Sequence, residues 1–580
     1  MYVTWKFCAL LPCHGHRYFT NIFVSAYSQQ HEKKLVAAID FGTTYSGYAY
    51  STKDEIRNIH VCKSSQDNID KHLSLKIPTS ILLSPTKKVL SIGSEAETDY
   101  KALAEDDEHT DHYFFRRFKM ELHKSEKLHR NTVIKDSNGR SIHAMKVFKL
   151  YITKLKEMLM TDLDRAGTMV GHDEIFWAGI SPHNIMLALE PEVAALFVKE
   201  SRMGVSQDRE SLTTYEAGAK FLVMDLGGGT ADLTAMEVTA DHSLKQLKFS
   251  CGGDWGGESV NKEFWKMIES LVGDDVMEDY KLRCHGDYME MDKQFETKKR
   301  NLEDFDNMDI KLDGSFIDLV SERRGTSLKY ITKEEDFSYL FQFKGASKLT
   351  LLPLCVQKIF MPSLNKLLQA ASNMLEETTS AVTDIIMVGG FSDSKIVRQM
   401  VKRTFPKHRV IEPVEASLAV LKGAVLYGHD PIMVSSRICK YTYGIEVTRP
   451  FMYSDPKELR IFESGQQYCG KAFLKLVEKG QEIKLDEAIS TDDIEALYSD
   501  ATFMSFNIYR STEKEPAYVT EESCTYLGKL RVEFGPQKQK VKVWMRFGTS
   551  EIMVEGRDAK TEEPIPGSVT LDLLDNLQSE

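Results

Sequence analysis

The sequence lacks the features that define several large classes of protein. No apolar run among its 580 residues reaches the length needed to cross a bilayer, which argues against a membrane span. Its nine cysteines are dispersed and include no C-x-x-C pair, so the pattern favours reduced thiols over a disulfide framework or a zinc site. The net charge of −12 disfavours nucleic acid or an anionic membrane as the main partner. Together these absences predict a cytoplasmic protein.

What the sequence does contain is typical of a globular chain with a real core. Hydrophobic residues make up 42% and charged residues 28% of the chain, and the length predicts roughly two to four domains. The first 34 residues are expected to be a disordered extension. Their apolar stretch at Phe7–Leu11 is too short, and too soon interrupted by Pro12 and His14, to predict a signal peptide.

A strand–turn–strand pattern occurs twice. The first copy, LVAAIDFGTTYSGYAY at residues 35–50, ends its apolar strand in Asp40 and turns through a Gly-Thr-Thr segment. The second copy, FLVMDLGGGTADLTAMEV at residues 221–238, ends its apolar strand in Asp225 and turns through Gly-Gly-Gly-Thr. Glycine lets backbone N–H groups approach a phosphate, while the carboxylate lies near a hydrated cation. The repetition predicts a duplicated α/β fold with two turns facing each other across a cleft.

A second repeated pattern lies downstream of each hairpin. EPEVAAL begins at Glu190 and EPVEASL begins at Glu412. The stretch from Ile175 to Glu190 is far shorter than the corresponding stretch from Ile385 to Glu412, which has room for a helix. Two outcomes stay open: the segment Ile175–Trp177 substitutes as the strand of the first half, or the first half is damaged.

The composition changes near Tyr427, and strands dominate from about Ile438 onward. Alternating apolar residues such as Val541, Val543 and Met545 predict an antiparallel, all-β unit. The predicted organisation is therefore an extension at 1–34, two lobes at 35–215 and 216–430, and a β-rich substrate-binding-like domain at 431–580 without a helical lid.

The two hairpins, the segment Val388–Phe391 and the trailing β-unit resemble the actin-like ATPase superfamily, whose lobes are ribonuclease H-like. Within it, the chain resembles the 70-kDa heat-shock protein family. Three sequence segments are similar to those of a divergent branch of that family: FKM at 118–120, ALEPE at 188–192 and CKYTYG at 439–444. The resemblance covers about residues 35–560. It implies that the chain binds ATP with Mg²⁺, hydrolyses it weakly, and has client polypeptides or co-chaperones as partners.

The resemblance also implies roles for individual residues. Asp40 and Asp225 would hold Mg²⁺ through water. Glu190 and Asp232 would lie near the attacking water, and Lys119 would reach the γ-phosphate. Such groups suit phosphoryl transfer, which depends on charge neutralisation and a positioned water more than on covalent chemistry.

For the cation at the γ-phosphate, Arg117 is an alternative to Lys119. The nucleotide itself would be bound by two turns, an E-x-x-K-R helical turn and a Gly-Gly loop. The residues that match these motifs are Gly42, Thr43, Thr44, Tyr45, Gly227, Gly228, Gly229, Thr230, Glu258, Glu296, Lys299, Arg300, Gly389 and Gly390.

The chain also departs from the family pattern. Phe391 and Asp393 stand where the family has Ser and Arg, and Glu303 stands where it has Ser. The segment SSRICK at 435–440 replaces an acidic, leucine-rich linker. These departures, with the shortened first half, motivate a second hypothesis of a non-catalytic, nucleotide-sensing scaffold. A third, a small-molecule kinase, is disfavoured by the β-unit.

Overall fold

The computed structural model describes most of the chain as a mixed α/β fold. The described residues are 12–13, 16–17, 21–25, 35–62, 75–124, 131–165, 185–201, 215–378, 382–497, 501–533, 540–548, 552–565 and 567–570. The predicted strand at Ile175–Trp177 lies outside them.

The elements before residue 202 alternate short strands with four helices among the described residues. They are β1 Pro12–Cys13, β2 His16–Arg17, β3 Asn21–Ser25, β4 Leu35–Phe41, β5 Tyr45–Thr52, β6 His60–Val61, β7 Ile77–Pro78, β8 Ser80–Leu83, β9 Val89–Ile92, α1 Gly93–Glu105, β10 Tyr113–Arg116, α2 Lys119–Lys124, β11 Val133–Lys135, β12 Ser141–His143, α3 Ala144–Arg165, β13 Ile185–Ala188 and α4 Glu190–Glu200.

The elements from residue 215 to residue 429 include the longest helix of the described chain. They are β14 Lys220–Leu226, β15 Ala231–Val238, β16 Leu244–Gln246, β17 Cys251–Gly253, α5 Gly257–Val272, α6 Asp274–Arg283, α7 His285–Asn301, β18 Met308–Lys311, α8 Gly314–Arg324, α9 Leu328–Ile331, β19 Phe341–Lys344, β20 Lys348–Leu351, α10 Pro353–Glu377, β21 Asp384–Val388, α11 Lys395–Thr404, β22 Arg409–Ile411 and α12 Ala419–His429.

The described elements after residue 433 are strands, apart from one short 3-10 turn. They are β23 Val434–Ile438, β24 Thr442–Pro450, β25 Arg460–Glu463, β26 Gln466–Val477, β27 Glu482–Lys484, β28 Ala488–Ser490, β29 Ile494–Glu495, β30 Phe503–Ser511, β31 Cys524–Glu533, β32 Lys540–Phe547, β33 Ile552–Asp558 and β34 Gly567–Thr570.

The first sheet contains the Asp40 hairpin. Its strand order is β13-β3-β4-β5-β6, with β7 also paired to β5. The β4–β5 hairpin is the one that the sequence predicts, and every residue of β4 is buried. The strand β3 differs from the prediction of a disordered extension, because it lies between β4 and β13 and is antiparallel to both. Ile, Phe and Val favour a strand, and both of its neighbours supply backbone partners.

The second sheet contains the Asp225 hairpin. Its strand order is β22-β21-β14-β15-β16-β23-β27, with β17 also paired to β15. Both β21 and β22 run parallel to β14, and α11 connects them, so the helix predicted between these strands is confirmed. The strand β23, which follows the predicted boundary at 430, pairs with β16 and so is part of this sheet.

Helices α4 and α12 form the layer between the two sheets. Their apolar side chains join one core with Val36 and Ala38 of the first sheet and Val223 of the second. A Cβ atom on Gly423 of α12 would collide with the carbonyl oxygen of Val193 in α4, so the two helices approach as closely as glycine permits. Helix α3 covers the outer face of the first sheet, whereas α5 and α10 cover the second. The layer holds the two hairpins in fixed relation.

The described strands after residue 440, apart from β27, form two further sheets. Their orders are β25-β26-β24-β30-β31-β34 and β28-β32-β29, with β33 paired to β32. Alternating residues such as Val541, Val543 and Met545 are buried in their shared core, as the sequence predicts. The seven cysteines whose side chains are described are free thiols. Among the described helices, none has the length and apolarity that crossing a membrane requires.

Candidate functional site

A cavity lies between the turns of the two hairpins. Its empty space is about 1120 Å³, open solvent at its mouth included. Its lining comprises Asp40, Gly42, Thr43, Thr44, Tyr45, Lys76, Lys119, Glu190, Asp225, Gly227, Gly228, Gly229, Thr230, Gly257, Glu258, Glu296, Lys299, Arg300, Gly389, Gly390, Phe391, Asp393, Ser394, Ser417 and Val420. Every site residue that the sequence predicts is in this set except Asp232.

The two turns touch each other, and glycine makes the contact possible. A Cβ atom on Gly228 would collide with the hydroxyl of Thr44, and one on Gly229 would lie 2.5 Å from Oγ1 of Thr43. A Cβ atom on Gly42 would strike the carbonyl oxygen of Tyr45 within its own turn. The buried hydroxyl of Thr44 has no hydrogen-bond partner among the described residues. The turns thus leave polar groups available at the centre of the cavity.

Three carboxylates lie close to two lysines at the base of the turns. They are Asp40, Glu190 and Asp225, and the lysines are Lys76 and Lys119. Lys76 Nζ lies 2.5 Å from Asp40 Oδ2, and Lys119 Nζ lies 3.7 Å from Glu190 Oε1. Lys119 also donates a 2.6 Å hydrogen bond to the carbonyl of Phe41, at the end of β4. These contacts keep both ammonium groups directed at the carboxylates, where a polyanion would need counter-charge.

Burial strongly perturbs two of the carboxyls in this cluster. Burial, together with the charge of Glu190, raises the pKa of Asp225 to about 8. Burial also raises the pKa of Glu190, against the opposing effect of Lys119. The Asp225 carboxyl, which retains its proton at neutral pH, would release it to a cation, and a hydrated Mg²⁺ fits this set of oxygen donors. No group of three or more Asp, Glu, His or Cys side chains in the described part of the chain is arranged to bind a metal directly.

Asp232 lies beside the cavity instead of lining it. It faces Asp225 directly across the β14–β15 pair, and Gly252 of β17 covers it. Burial and the charge of Glu190 hold its pKa well above the ordinary value. Its pairing opposite Asp225 puts both side chains on the same face of the sheet, and its role near the attacking water stays a prediction.

The far end of the cavity is formed by α5 and α7. Glu296, Lys299 and Arg300 follow helical i, i+3, i+4 spacing on α7 and form one ion-pair group. Lys299, only 2% exposed, also donates to the carbonyl of Gly257 over 2.9 Å. Burial opposes ionisation of Glu296, but the charges of Lys299 and Arg300 hold its pKa far below the ordinary value. The guanidinium of Arg300 lies 5.4 Å from the ring centroid of Tyr45, across the cavity.

The loop after β21 closes the same end. Gly389 has φ +85°, and a Cβ atom there would meet the carbonyl oxygen of Leu226. Phe391 and Asp393, the two departures from the family loop, both line the cavity. Burial raises the pKa of Asp393. The loop therefore presents an aromatic ring and a carboxyl where the family presents a hydroxyl and a guanidinium.

Arg117 bridges the two sides of the cleft and does not line the cavity. It lies 2.7 Å from Glu258 Oε2 and 2.9 Å from Asp292 Oδ2, and Arg116 lies 2.7 Å from the same Asp292 oxygen. Arg117 has φ 53°, an uncommon backbone conformation for a residue with a side chain. Of the two candidate cations, the geometry therefore favours Lys119 for the cavity.

Sequence reasoning missed several lining residues. Lys76 is the most important of them, because it contacts Asp40. It is a lone lysine ahead of a two-residue strand and belongs to no repeated pattern, so no signal in a single sequence marks it. The others not assigned to the site in advance are Gly257, Ser394, Ser417 and Val420.

The chain is similar to known heat shock and chaperone proteins. Human heat shock 70 kDa protein 12A is 26% identical over 94% of this chain and 92% of its own length. Human heat shock 70 kDa protein 12B is 24% identical with the same coverage. The chaperone protein dnaK of Cyanidium caldarium is 26% identical over 39% of this chain and 34% of its own length. No family model matches the chain. The chain is therefore similar to heat shock 70 kDa proteins 12A and 12B over almost its whole length, and the predicted resemblance to the 70-kDa heat-shock family is confirmed.

Proposed function

We propose that the chain is an ATP-binding, chaperone-like protein of the heat-shock-70 type, with weak ATP hydrolysis. One observation carries the proposal: a single cavity is lined by both glycine turns and by Asp40, Asp225 and Glu190. The relatives are named as heat shock and chaperone proteins, which supports the chaperone-like class. On this proposal the two sheets belong to duplicated, actin-like lobes, and the strands after residue 440 form an all-β client-binding domain.

The phosphates of ATP would lie between the two turns. Backbone N–H groups of Gly42–Thr44 and of Gly228–Thr230 suit a phosphate cradle, because the glycines permit close approach and the Thr44 hydroxyl lacks a partner among the described residues. Asp40 and Asp225 would hold Mg²⁺ through water. When bound, Mg²⁺ neutralises charge on the phosphates.

The adenosine would lie at the far end of the cavity. Glu258, Glu296, Lys299 and Arg300 offer polar groups for the base and the ribose, and the Gly389–Gly390 loop offers a flat backbone surface. The aromatic ring of Phe391 adds apolar area that the family loop lacks. We expect the altered loop to change base preference more than phosphate affinity.

Hydrolysis would depend on Glu190 and Lys119. Glu190 lines the cavity with a raised pKa, so it can hold and orient a water molecule once a cation favours its ionised form. Lys119 would stabilise charge on the terminal phosphate. Asp232, opposite Asp225 on the neighbouring strand, would be a second carboxylate near the same water.

Client polypeptides are proposed to bind the β-rich unit. Met452, Tyr453, Ile461 and Phe462 are exposed apolar side chains around the β24–β25 connection. Arg460 lies 4.9 Å from the ring centroid of Phe451 and so rigidifies this edge. An exposed apolar edge of this kind suits extended apolar segments.

The nucleotide-sensing scaffold is the less favoured alternative. Part of its motivation is the shortened first half, but the first sheet is continuous from β13 to β6. Glu190 lies at the cavity with Asp40 and Asp225. The kinase hypothesis has no specific observation in its favour.

The proposal is tested by titrating the full chain with ATP in the presence of Mg²⁺ in a calorimeter. We expect binding that weakens at least tenfold in Asp225→Asn and in Asp40→Asn. Asp318→Asn, which changes an exposed carboxylate on α8, is the matched control and should bind like the unchanged chain. Absence of binding by the unchanged chain would overturn the proposal.

A further inference from the structure

The two sheets differ in the strand that lies beside the aspartate-bearing strand, which is β4 with Asp40 in the first sheet and β14 with Asp225 in the second. In the second sheet, β21 lies between β14 and β22, runs parallel to both and follows β14 within the same half of the chain. In the first sheet, β3 lies between β4 and β13, runs antiparallel to both and comes from ahead of the hairpin. The same position is thus filled by a strand of opposite direction and different origin.

The backbone register of β3 joins the strand that ends in Asp40 to the strand that leads to Glu190. On one side Ser25 faces Val36 and Phe23 faces Ala38. On the other side β3 pairs along β13 until Asn21 faces Ala188, two residues before Glu190. Because neighbouring strands lie roughly 4.8 Å apart, β4 and β13 are separated by about the width of one strand.

Without β3, neither neighbour would have a partner on that side. Both β4 and the described side chains of β13 are at least partly buried, and α12 packs against the strands of this sheet. A buried backbone N–H or C=O group without a partner costs free energy comparable to a lost hydrogen bond. The strand segment Ile185–Ala188 would then have no ladder connecting it to β4.

We propose that Asn21–Ser25 is an intramolecular strand complement that completes the first sheet. Its function is to hold Glu190 at a fixed distance from Asp40, in the place where the second sheet uses a strand of its own half. The slot between β4 and β13 is therefore a strand-acceptor site, and its occupant is this segment of the same chain. The consequence for ATP rests on the proposed function, whereas the pairing itself does not.

The pairing is tested by cross-strand disulfides in the full chain with Cys8 and Cys13 changed to Ser. Ser25→Cys with Val36→Cys places two thiols at directly opposed positions and should form an intramolecular disulfide. Asn21→Cys with Val36→Cys is the matched control, because these positions would oppose each other only if β3 ran parallel to β4. Peptide mapping by mass spectrometry reads both.

Every outcome of this experiment decides the proposal. A disulfide in the first pair alone supports it. A disulfide in the control pair, in both pairs or in neither overturns the antiparallel pairing. Disulfides that join two copies of the chain overturn the intramolecular assignment in favour of strand exchange between copies. This readout needs no nucleotide, so it is separable from failure of the ATP proposal.

The functional consequence is tested by two truncations. A chain that starts at residue 31 lacks β3 and should bind ATP with Mg²⁺ at least tenfold more weakly than the full chain, whereas one that starts at residue 11 should bind equally well. A synthetic peptide of residues 18–30 should restore binding to within threefold, and the same peptide with Phe23→Pro should not, because proline removes a ladder donor. Undiminished binding by the shorter chain would overturn the consequence, and if that chain does not fold, the disulfide pairs decide.

Discussion

In the second sheet, β21 runs parallel to β14, the strand that carries Asp225. It is followed by helix α11 and by a further parallel strand, β22. In the first sheet, the strand beside the Asp40 hairpin is antiparallel and precedes it in the chain. Both arrangements still bring a Gly-centred turn to the same cavity. The comparison teaches that the hairpin and its turn are determined locally, while the strand beside them needs only to satisfy backbone groups.

The two halves differ again after their Glu-Pro dipeptides. Glu190-Pro191 begins the eleven-residue helix α4, in which Glu192 is fully buried against Arg437 of β23. Glu412-Pro413 leads through a short 3-10 turn at Ala416–Leu418 into helix α12, and Glu415 is a half-exposed partner of Lys422. The first half is therefore tied by charge to the strand that precedes the β-rich unit, whereas the second half is not tied through Glu415.

The largest expected effect concerns this pair of glutamates. Glu192→Ala would leave Arg437, whose side chain is 20% exposed, without its two 2.6 Å hydrogen bonds, which should lower the free energy of unfolding by about 3 kcal/mol. Glu415→Ala removes a surface pair and should cost less than about 1 kcal/mol. Urea denaturation measures both. The double change Glu192→Leu with Arg437→Leu should recover most of the lost stability. If Glu192→Ala and Glu415→Ala lowered the free energy of unfolding equally, the proposed difference between the two halves would be wrong.

The second effect concerns the glycines of the two turns. Gly228→Ala and Gly42→Ala should each lower the free energy of unfolding by about 1–3 kcal/mol, because the added methyl group overpacks the contact. The clash at Gly228 involves the Thr44 side chain of the opposite turn, so Thr44→Ala should relieve part of it but none of the backbone clash at Gly42. The control is Gly390→Ala, since no described atom lies within 4 Å of its added Cβ. If Thr44→Ala restored the same amount of stability to Gly228→Ala and to Gly42→Ala, the two turns would not be in contact.

The third effect is a pH dependence at the contact between the two sides of the cleft. Burial opposes ionisation of Asp292, but Arg117 and Arg116 hold its pKa at about 2, below the ordinary 3.8. A depressed pKa stabilises the folded state above the ordinary value, and that stability is lost as the pH falls from about 4 towards 2. The loss should be about 2 kcal/mol, and unfolding free energies measured across this window should show it. Asp292→Asn should flatten that part of the curve, whereas Asp318→Asn should not.

The smallest effect concerns a departure from the family that lies outside the cavity. Glu303 forms a 2.6 Å surface pair with Lys395 and is not among the lining residues. Glu303→Ser should change the free energy of unfolding by less than about 1 kcal/mol and leave ATP affinity within twofold. Asp393→Arg, by contrast, alters a lining residue and should change the ratio of ATP to GTP affinity. Calorimetric titration of each variant with ATP and with GTP measures this ratio. If Glu303→Ser changed the ratio as much as Asp393→Arg does, the assignment of Glu303 to the surface would be contradicted.

Local pattern predicted much of the fold around the site. Both hairpins, the strand before Gly389 and the helix α11 are confirmed, because alternating or continuous apolar residues next to a glycine turn specify them within a few residues. Internal repetition and family likeness together led to the residues that line the cavity, from Asp40 to Gly390.

What the sequence did not reveal depends on contacts between distant segments. The strand β3 is five residues long, and its role depends on partners at Val36–Ala38 and Ile185–Ala188, which no local pattern encodes. The same holds for the burial of Asp232, which results from its neighbours across the sheet. The pairing of Arg437 with Glu192 joins residues from separate regions, and each alone reads as an ordinary surface charge.

The placement of β3 also constrains the order in which the chain can fold. Val24 pairs with Ile185, a partner about 160 residues later in the sequence. During synthesis the N-terminal segment is made first, yet its second ladder must wait until most of the first half has left the ribosome. Such a long closure is entropically slow, so we infer that completing this sheet is a late step in folding and that the β4–β5 hairpin forms well before it.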